Sequence, residues 1–142
     1  MIMIDNRDQY MIHDNVVERL LKEYRLHGDL IVAYDFDNTV FDYHNRGESY
    51  EMVIDLIRKL STVKGIELIV WTGSSKDRYD FIRDYLKVNN IPFSKINENP
   101  YFFDSSSPKI FYSILLDDRA GLESAYVALV SFLNGIGERY TP

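Results

Sequence analysis

Apolar and polar positions along this chain follow two different rhythms, and the changes of rhythm outline its elements. Val16, Val17, Leu20, Leu21 and Tyr24 recur at helical spacing, which predicts a helix over 15–27 with Asp14 or Asn15 as its cap and Gly28 as its end. From Leu30 the helical rhythm disappears. Leu30, Ile31, Val32, Ala33 and Tyr34 follow one another without a polar break, and a run so short and so apolar reads as a buried strand, predicted over 30–36. Met52, Val53, Leu56, Ile57 and Leu60 mark one face of a second helix that starts near Glu48 or Ser49. A second apolar run over 66–71 predicts the next strand. Phe81, Ile82, Tyr85 and Leu86 predict a helix over 76–88, stopped by Asn89, Asn90 and Pro92. A short strand over 93–96, a long loop over 97–108 and a strand over 110–116 follow. Leu122, Tyr126, Leu129, Val130 and Leu133 mark a closing helix over 122–133.

Strands alternating with helices predict an α/β fold: an open, mainly parallel, Rossmann-like sheet with helices on both faces. In such sheets ligands bind beyond the carboxyl ends of the strands. Three of the predicted strands end in polar, chemically capable residues: Asp35 with Asp37, Thr72 with Ser74, and Asp117 with Asp118. Solvation alone would scatter polar residues over both strand ends, and the amino ends carry few.

Composition narrows the picture. A length of 142 residues suits one domain, read as 1–142, with an N-terminal extension over 1–29 that carries a helix and a core over 30–133. No apolar run approaches the ~20 residues of a membrane span. Met1-Ile2-Met3-Ile4 is followed too soon by Asp5, Arg7 and Asp8 to act as a signal peptide, so a cytoplasmic protein with no membrane partner is expected. The absence of cysteine excludes disulfides, thiolate metal sites and cysteine nucleophiles. A net charge of -6 without a Lys/Arg cluster argues against gripping nucleic acid through its phosphates. Most of the eleven tyrosines and eight phenylalanines are expected in the core or at half-exposed strand positions.

Asp35 and Asp37 stand two positions apart on extended chain, so their side chains project together from a strand end. Adjacent carboxylates repel one another and resist desolvation. A chain that gathers them there expects a positive partner, usually a divalent cation.

The motif Asp35-Phe36-Asp37-Asn38-Thr39-Val40, the strand-ending Thr72, Lys109 and the Asp117-Asp118 pair, in that order, resemble the haloacid dehalogenase (HAD) superfamily of aspartate-nucleophile phosphohydrolases. The resemblance covers about residues 30–133. The chain resembles its small, capless members from bacteria and phages, since neither interval between motifs has room for a cap domain.

The resemblance implies a magnesium-dependent phosphatase acting on a phosphate monoester, with Asp35 attacking phosphorus to form an aspartyl-phosphate. Asp37 is implied as the general acid and base, its acidity lowered by the neighbouring negative charge. Mg2+ would be held by Asp35, the backbone carbonyl of Asp37 and Asp117. Thr72 and the Gly73 backbone would hold phosphoryl oxygens, and Lys109 would balance charge on the phosphate and Asp35. Thr39 is expected to brace the loop through the backbone.

Several assignments stay open on the residues alone. Asp117 and Asp118 could equally cap a helix, and Asp118 is either a supporting carboxylate or a partner of Arg119. Lys95 competes with Lys109. Arg46 is a candidate contact for a substrate anion, with a surface salt bridge as the competing role; Asp42 is equally open and His44 is expected to be exposed. Tyr101, Phe102 and Phe103 could stack on a base or sugar, join a contact between copies, or pack inward. The N-terminal helix could cover the sheet or support a homo-oligomer. A small phosphorylated metabolite, a nucleotide or sugar phosphate, is the favoured substrate. A receiver-like phosphoacceptor and a catalytically silent binding module are the competing functions. In a receiver the acidic pair and the phosphorylated aspartate lie on different strands, whereas here Asp35, Asp37 and Thr39 lie together.

Overall fold

The computed structural model describes residues 6–103 and 107–142. The segment read above as too short for a signal peptide (1–4), and residues 104–106 of the long loop, lie outside the described residues. The order of elements is α1 (His13–His27), β1 (Leu30–Tyr34), α2 (Glu51–Ser61), β2 (Ile66–Val70), α3 (Tyr79–Val88), β3 (Lys95–Ile96), β4 (Ile114–Leu116) and α4 (Leu122–Gly135). No helix among the described residues is long and apolar enough to cross a membrane.

The helix ends follow local chemistry. Gly28 adopts a φ of 75° and returns its N–H to the Tyr24 carbonyl, closing α1 where expected. The start of α1 differs from expectation: it begins at His13, so Asp14 and Asn15 lie inside it. A preceding 3-10 turn, Gln9–Met11, is capped instead by Asp8, whose carboxylate accepts the Tyr10 N–H at 2.9 Å. A similar turn, Lys76–Arg78, leads into α3.

The four strands form one parallel sheet in the order β3-β2-β1-β4. The register sets Tyr34 opposite both Val70 and Leu116, so β1, β2 and β4 end level with one another. Asp35 and Asp117 therefore emerge side by side from neighbouring strands, with Thr72 one residue further along β2. The Asp35 N–H still donates to the Leu116 carbonyl at 2.9 Å, which carries the ladder one residue past the regular strand.

Every residue of β1 is buried, and its alternation splits the core in two. Leu30, Val32 and Tyr34 join a large cluster with apolar residues from all four α-helices. Ile31 and Ala33 join a smaller cluster with Ile69 and Ile110, backed by Trp71, Tyr112 and Leu115. Among the described residues this second cluster contains no helical side chain. The parallel α/β sheet is as expected, but the coverage is not: among the described residues helices lie on one face, while irregular chain ahead of β4 covers the other. The connection from β3 to β4 crosses that face, and Asn97, Asn99, Pro100, Ser107 and Pro108 disfavour a helix there.

The same connection shortens β4 from the expected 110–116. The Ser113 N–H donates to the Ile31 carbonyl at 2.7 Å while its hydroxyl accepts the Ile31 N–H at 3.0 Å. A side chain replaces one rung of the ladder, and regular pairing begins only beyond it. The N-terminal extension is built into the fold: Leu20 is fully buried, and Tyr24 meets Phe132 of α4 edge-on at 5.5 Å.

Candidate active site at the carboxyl edge of the sheet

Just past β1 the chain turns sharply. The Phe36 carbonyl accepts the N–H groups of Thr39, Val40 and Phe41, and Asn38 adopts a φ of 61°, a conformation asparagine tolerates better than most residues. The fully buried Phe36 ring stacks on Phe41 at 5.0 Å and anchors the turn from below. Asp35 and Asp37 flank that anchor.

Thr39, also fully buried, ties this turn to the end of β4. Its hydroxyl accepts the Asp118 N–H at 3.1 Å and lies 3.4 Å from an Asp118 carboxylate oxygen. Asp117 caps the turn that follows β4 by accepting the Arg119 N–H at 2.9 Å, rather than capping α4, whose start is preceded by Gly121. One carboxylate oxygen each from Asp35, Asp117 and Asp118 lies within 4.8 Å of the others.

Electrostatics follow from this crowding. Burial, then the charge of Asp117, then a hydrogen bond with Asp118, push the Asp35 carboxyl up to about 7, against the opposing pull of the Phe36 N–H. Three acids this close repel one another in the absence of a cation. Their all-oxygen donor set fits a hard divalent ion such as Mg2+.

The stability of the metal-free protein should depend on pH accordingly. A carboxyl whose folded value exceeds its unfolded one binds protons preferentially in the fold. Its contribution is therefore most favourable below about pH 4 and is lost as pH rises through about 7. A shift this size corresponds to an upper limit of about 4 kcal/mol. Solvent screening at a half-open site reduces that to about 1–2 kcal/mol. Thermal unfolding in EDTA at pH 5 and pH 8, compared with Asp35→Asn, should show this loss in the wild type alone, and Mg2+ should reverse it at pH 8. Equal pH dependence in the two proteins would contradict the assignment.

A cavity of about 530 Å³ opens over these residues, lined also by Asp37, Asn38, Tyr43, His44, Arg78, Arg119 and the stretch from Thr72 to Ser75. Thr72 is held firmly: Asn97 accepts its N–H at 2.8 Å and donates to its carbonyl at 2.7 Å. The Thr72 hydroxyl in turn accepts the Ser74 N–H at 3.1 Å. Gly73 has open space where a Cβ would stand.

Asp37 differs from expectation. Its carboxylate faces a guanidinium, not another carboxylate: Arg78 donates from both terminal nitrogens, at 2.6 and 2.8 Å, to its two oxygens. The third acid of the cluster is Asp118 instead. Neither Lys109 nor Arg46 lines the cavity. Lys109 precedes β4 by several residues and sits with its ammonium 5.9 Å from the Tyr112 ring, beside a separate cavity. Arg46 is exposed on a loop organised by Asp42, which accepts the Arg46 and Gly47 N–H groups at 3.1 and 2.8 Å. Lys95, in β3, is likewise not among the cavity's lining residues. Phe103 stacks on Phe111 at 4.8 Å, whereas Tyr101 is 90% exposed.

The residues the sequence reading passed over are Arg78 and Asn97. Asn97 adopts a φ of 55° immediately after β3, and an asparagine at a strand end beside a conformationally demanding turn was the available signal.

No protein-family model matches this chain, and no curated protein matches it. Among solved structures it is similar to a conserved protein of Bacteroides thetaiotaomicron, with a TM-score of 0.58 and 18% identity over 79% of this chain and 93% of that one. At that identity the likeness extends to the fold.

Proposed function

We propose that this chain is a magnesium-dependent phosphohydrolase of the HAD type, which cleaves a phosphate monoester through an aspartyl-phosphate on Asp35. One observation carries the reading: the carboxylates of Asp35, Asp117 and Asp118 converge within 4.8 Å at the carboxyl edge of the sheet. Mg2+ held by these residues, with the Asp37 backbone carbonyl as the HAD resemblance implies, would offset the repulsion between a carboxylate and a phosphate dianion.

In the proposed reaction an oxygen of Asp35 attacks phosphorus and the ester oxygen departs, taking a proton from Asp37. Asp37 then accepts a proton from the water that attacks phosphorus, and the Asp35–phosphorus bond breaks to return the carboxylate and inorganic phosphate. Thr72 and the Gly73 backbone are the proposed donors to phosphoryl oxygens. The cavity, about 530 Å³, suits a small phosphorylated metabolite such as a nucleotide or sugar phosphate. All these residues belong to one chain, so the reaction does not require a second copy. A cytoplasmic setting, where such metabolites and Mg2+ are abundant, accords with it.

The test is hydrolysis of a generic aryl phosphate and a broad phosphomonoester panel, with Mg2+ and with EDTA. Turnover that depends on Mg2+ is expected; none on any substrate would sink the proposal. Acetyl phosphate separates the hydrolase from a receiver-like phosphoacceptor. The aspartyl-phosphate should vanish rapidly, and its persistence over minutes would favour the receiver.

A further inference from the structure

We infer that Arg78 is the oxyanion-binding residue of this cavity, and that Asp37 occupies it at rest and is displaced when a ligand's phosphoryl group takes the guanidinium. The inference rests on the reading of this cavity as a phosphate site and deepens it.

Arg78 offers Asp37 a two-pronged fork, with both terminal nitrogens engaged at 2.6 and 2.8 Å. A phosphoryl group presents two oxygens to a guanidinium in the same geometry. Arg78 also donates to the Ser74 hydroxyl at 2.8 Å, and that hydroxyl lies 3.2 Å from the Thr72 hydroxyl. The guanidinium is thus joined to the strand-end threonine, where a phosphoryl group would sit.

The rings of Phe36, Phe41, Tyr43 and Phe81 stand 5.5–5.8 Å from the guanidinium carbon. Aromatic rings around a cation hold its position without using its hydrogen-bond donors. The guanidinium is therefore held while its acceptor remains exchangeable. Both partners of the pair are 27% exposed, so a ligand entering the cavity reaches them. Lys109, the cation expected at the phosphate, and Arg46, a candidate for it, stand elsewhere; the other cationic side chain on the lining, Arg119, is exposed at the turn after β4.

The clamp also has a chemical consequence. At rest both oxygens of Asp37 are engaged by Arg78. Arrival of a phosphoryl group at Arg78 releases the Asp37 carboxylate from the pair, and once released it can take up a proton from solvent and pass it to the leaving oxygen. Arg78 is in this sense a positioning residue for Asp37 as well as an anion ligand.

Calorimetric titration with inorganic phosphate in Mg2+ buffer tests the exchange on wild type, Asp37→Asn, Arg78→Gln and the double variant. Asp37→Asn should bind phosphate about tenfold tighter, and Arg78→Gln at least about tenfold weaker. In the Arg78→Gln background Asp37→Asn should change affinity by less than about twofold, because the competition it relieves is already gone. Arg78→Lys, which keeps the charge and loses the fork, should recover part of the affinity, and it replaces Arg78→Gln in the cycle if thermal unfolding shows that variant to be unfolded.

Equal tightening in both backgrounds would reduce the effect to removal of one negative charge and overturn the exchange. Unchanged affinity in Arg78→Gln, or no phosphate binding by either wild type or Asp37→Asn, would overturn it as well. The expected binding pattern without hydrolysis of any ester would instead refute the phosphohydrolase reading and leave the anion site standing.

Discussion

Asp35→Asn is expected to abolish turnover, by at least about a thousandfold in kcat, while making the metal-free protein more stable. The rate loss follows from removing the proposed nucleophile, a type of change that costs enzymes acting through a covalent intermediate several orders of magnitude. The stability gain follows from the surroundings of the carboxyl. Burial, Asp117 and Asp118 hold the Asp35 carboxyl up to about 7, so at pH 8 the fold carries a charged group it disfavours. An amide of the same shape removes that charge, with a gain of about 1 kcal/mol after solvent screening. Steady-state kinetics on the best panel substrate and thermal unfolding in EDTA check the two halves separately. Retained activity would remove Asp35 from the mechanism. A lower melting temperature would mean that its carboxylate supports the fold rather than straining it.

Phe36→Ala should cost about 3–5 kcal/mol of unfolding free energy, the range for deleting a buried aromatic ring. Phe36 has no exposed surface. It stacks on Phe41 at 5.0 Å, meets Tyr85 and Phe81 edge-on at 5.6 and 6.2 Å, and lies 5.5 Å from the Arg78 guanidinium. The residue also sits between Asp35 and Asp37, and its carbonyl closes the turn that carries them. Truncation therefore leaves a cavity directly beneath the site, and activity should fall even at temperatures where the variant is folded. Phe36→Leu, which refills most of that space, should recover more than half of the lost stability. Urea unfolding measures both variants. A loss below about 1 kcal/mol for Phe36→Ala would show that the ring does not anchor the loop.

These residues show how far the chain could be read without its fold. The apolar runs beginning at Leu30 and Ile66 located β1 and β2, since a buried strand writes its signature in consecutive residues. The strand ends were less legible. β4 starts at Ile114 because the Ser113 hydroxyl takes a ladder hydrogen bond, and no local pattern announces such a substitution. Helices on both faces were expected from the alternation of elements, yet the described residues of the β3-to-β4 connection, rich in Asn, Pro and Ser, cover their face without one. Thr39 was read as a brace, and its hydroxyl accepts the Asp118 N–H. Lys109 was the cation expected to balance charge there, with Arg46 open between an anion contact and a surface role, but Arg78 is the arginine that pairs with Asp37 in the cavity. A charged residue at the start of a helix ordinarily reads as solvent-facing, and its partner Asp37 lies 41 positions away in sequence.

By itself the sequence determined the alternating elements, the parallel α/β class and the gathering of acidic and hydroxyl side chains just beyond three strand ends. Each of these depends on spacing between near neighbours along the chain, which backbone geometry converts directly into direction. Only the tertiary structure decided which charges meet. The level register of β1 and β4 brings Asp35 beside Asp117 and Asp118, and the turn into α3 delivers Arg78 to Asp37. Such pairings arise from contacts between distant segments, and Coulomb forces act on distance in space whatever the separation in sequence.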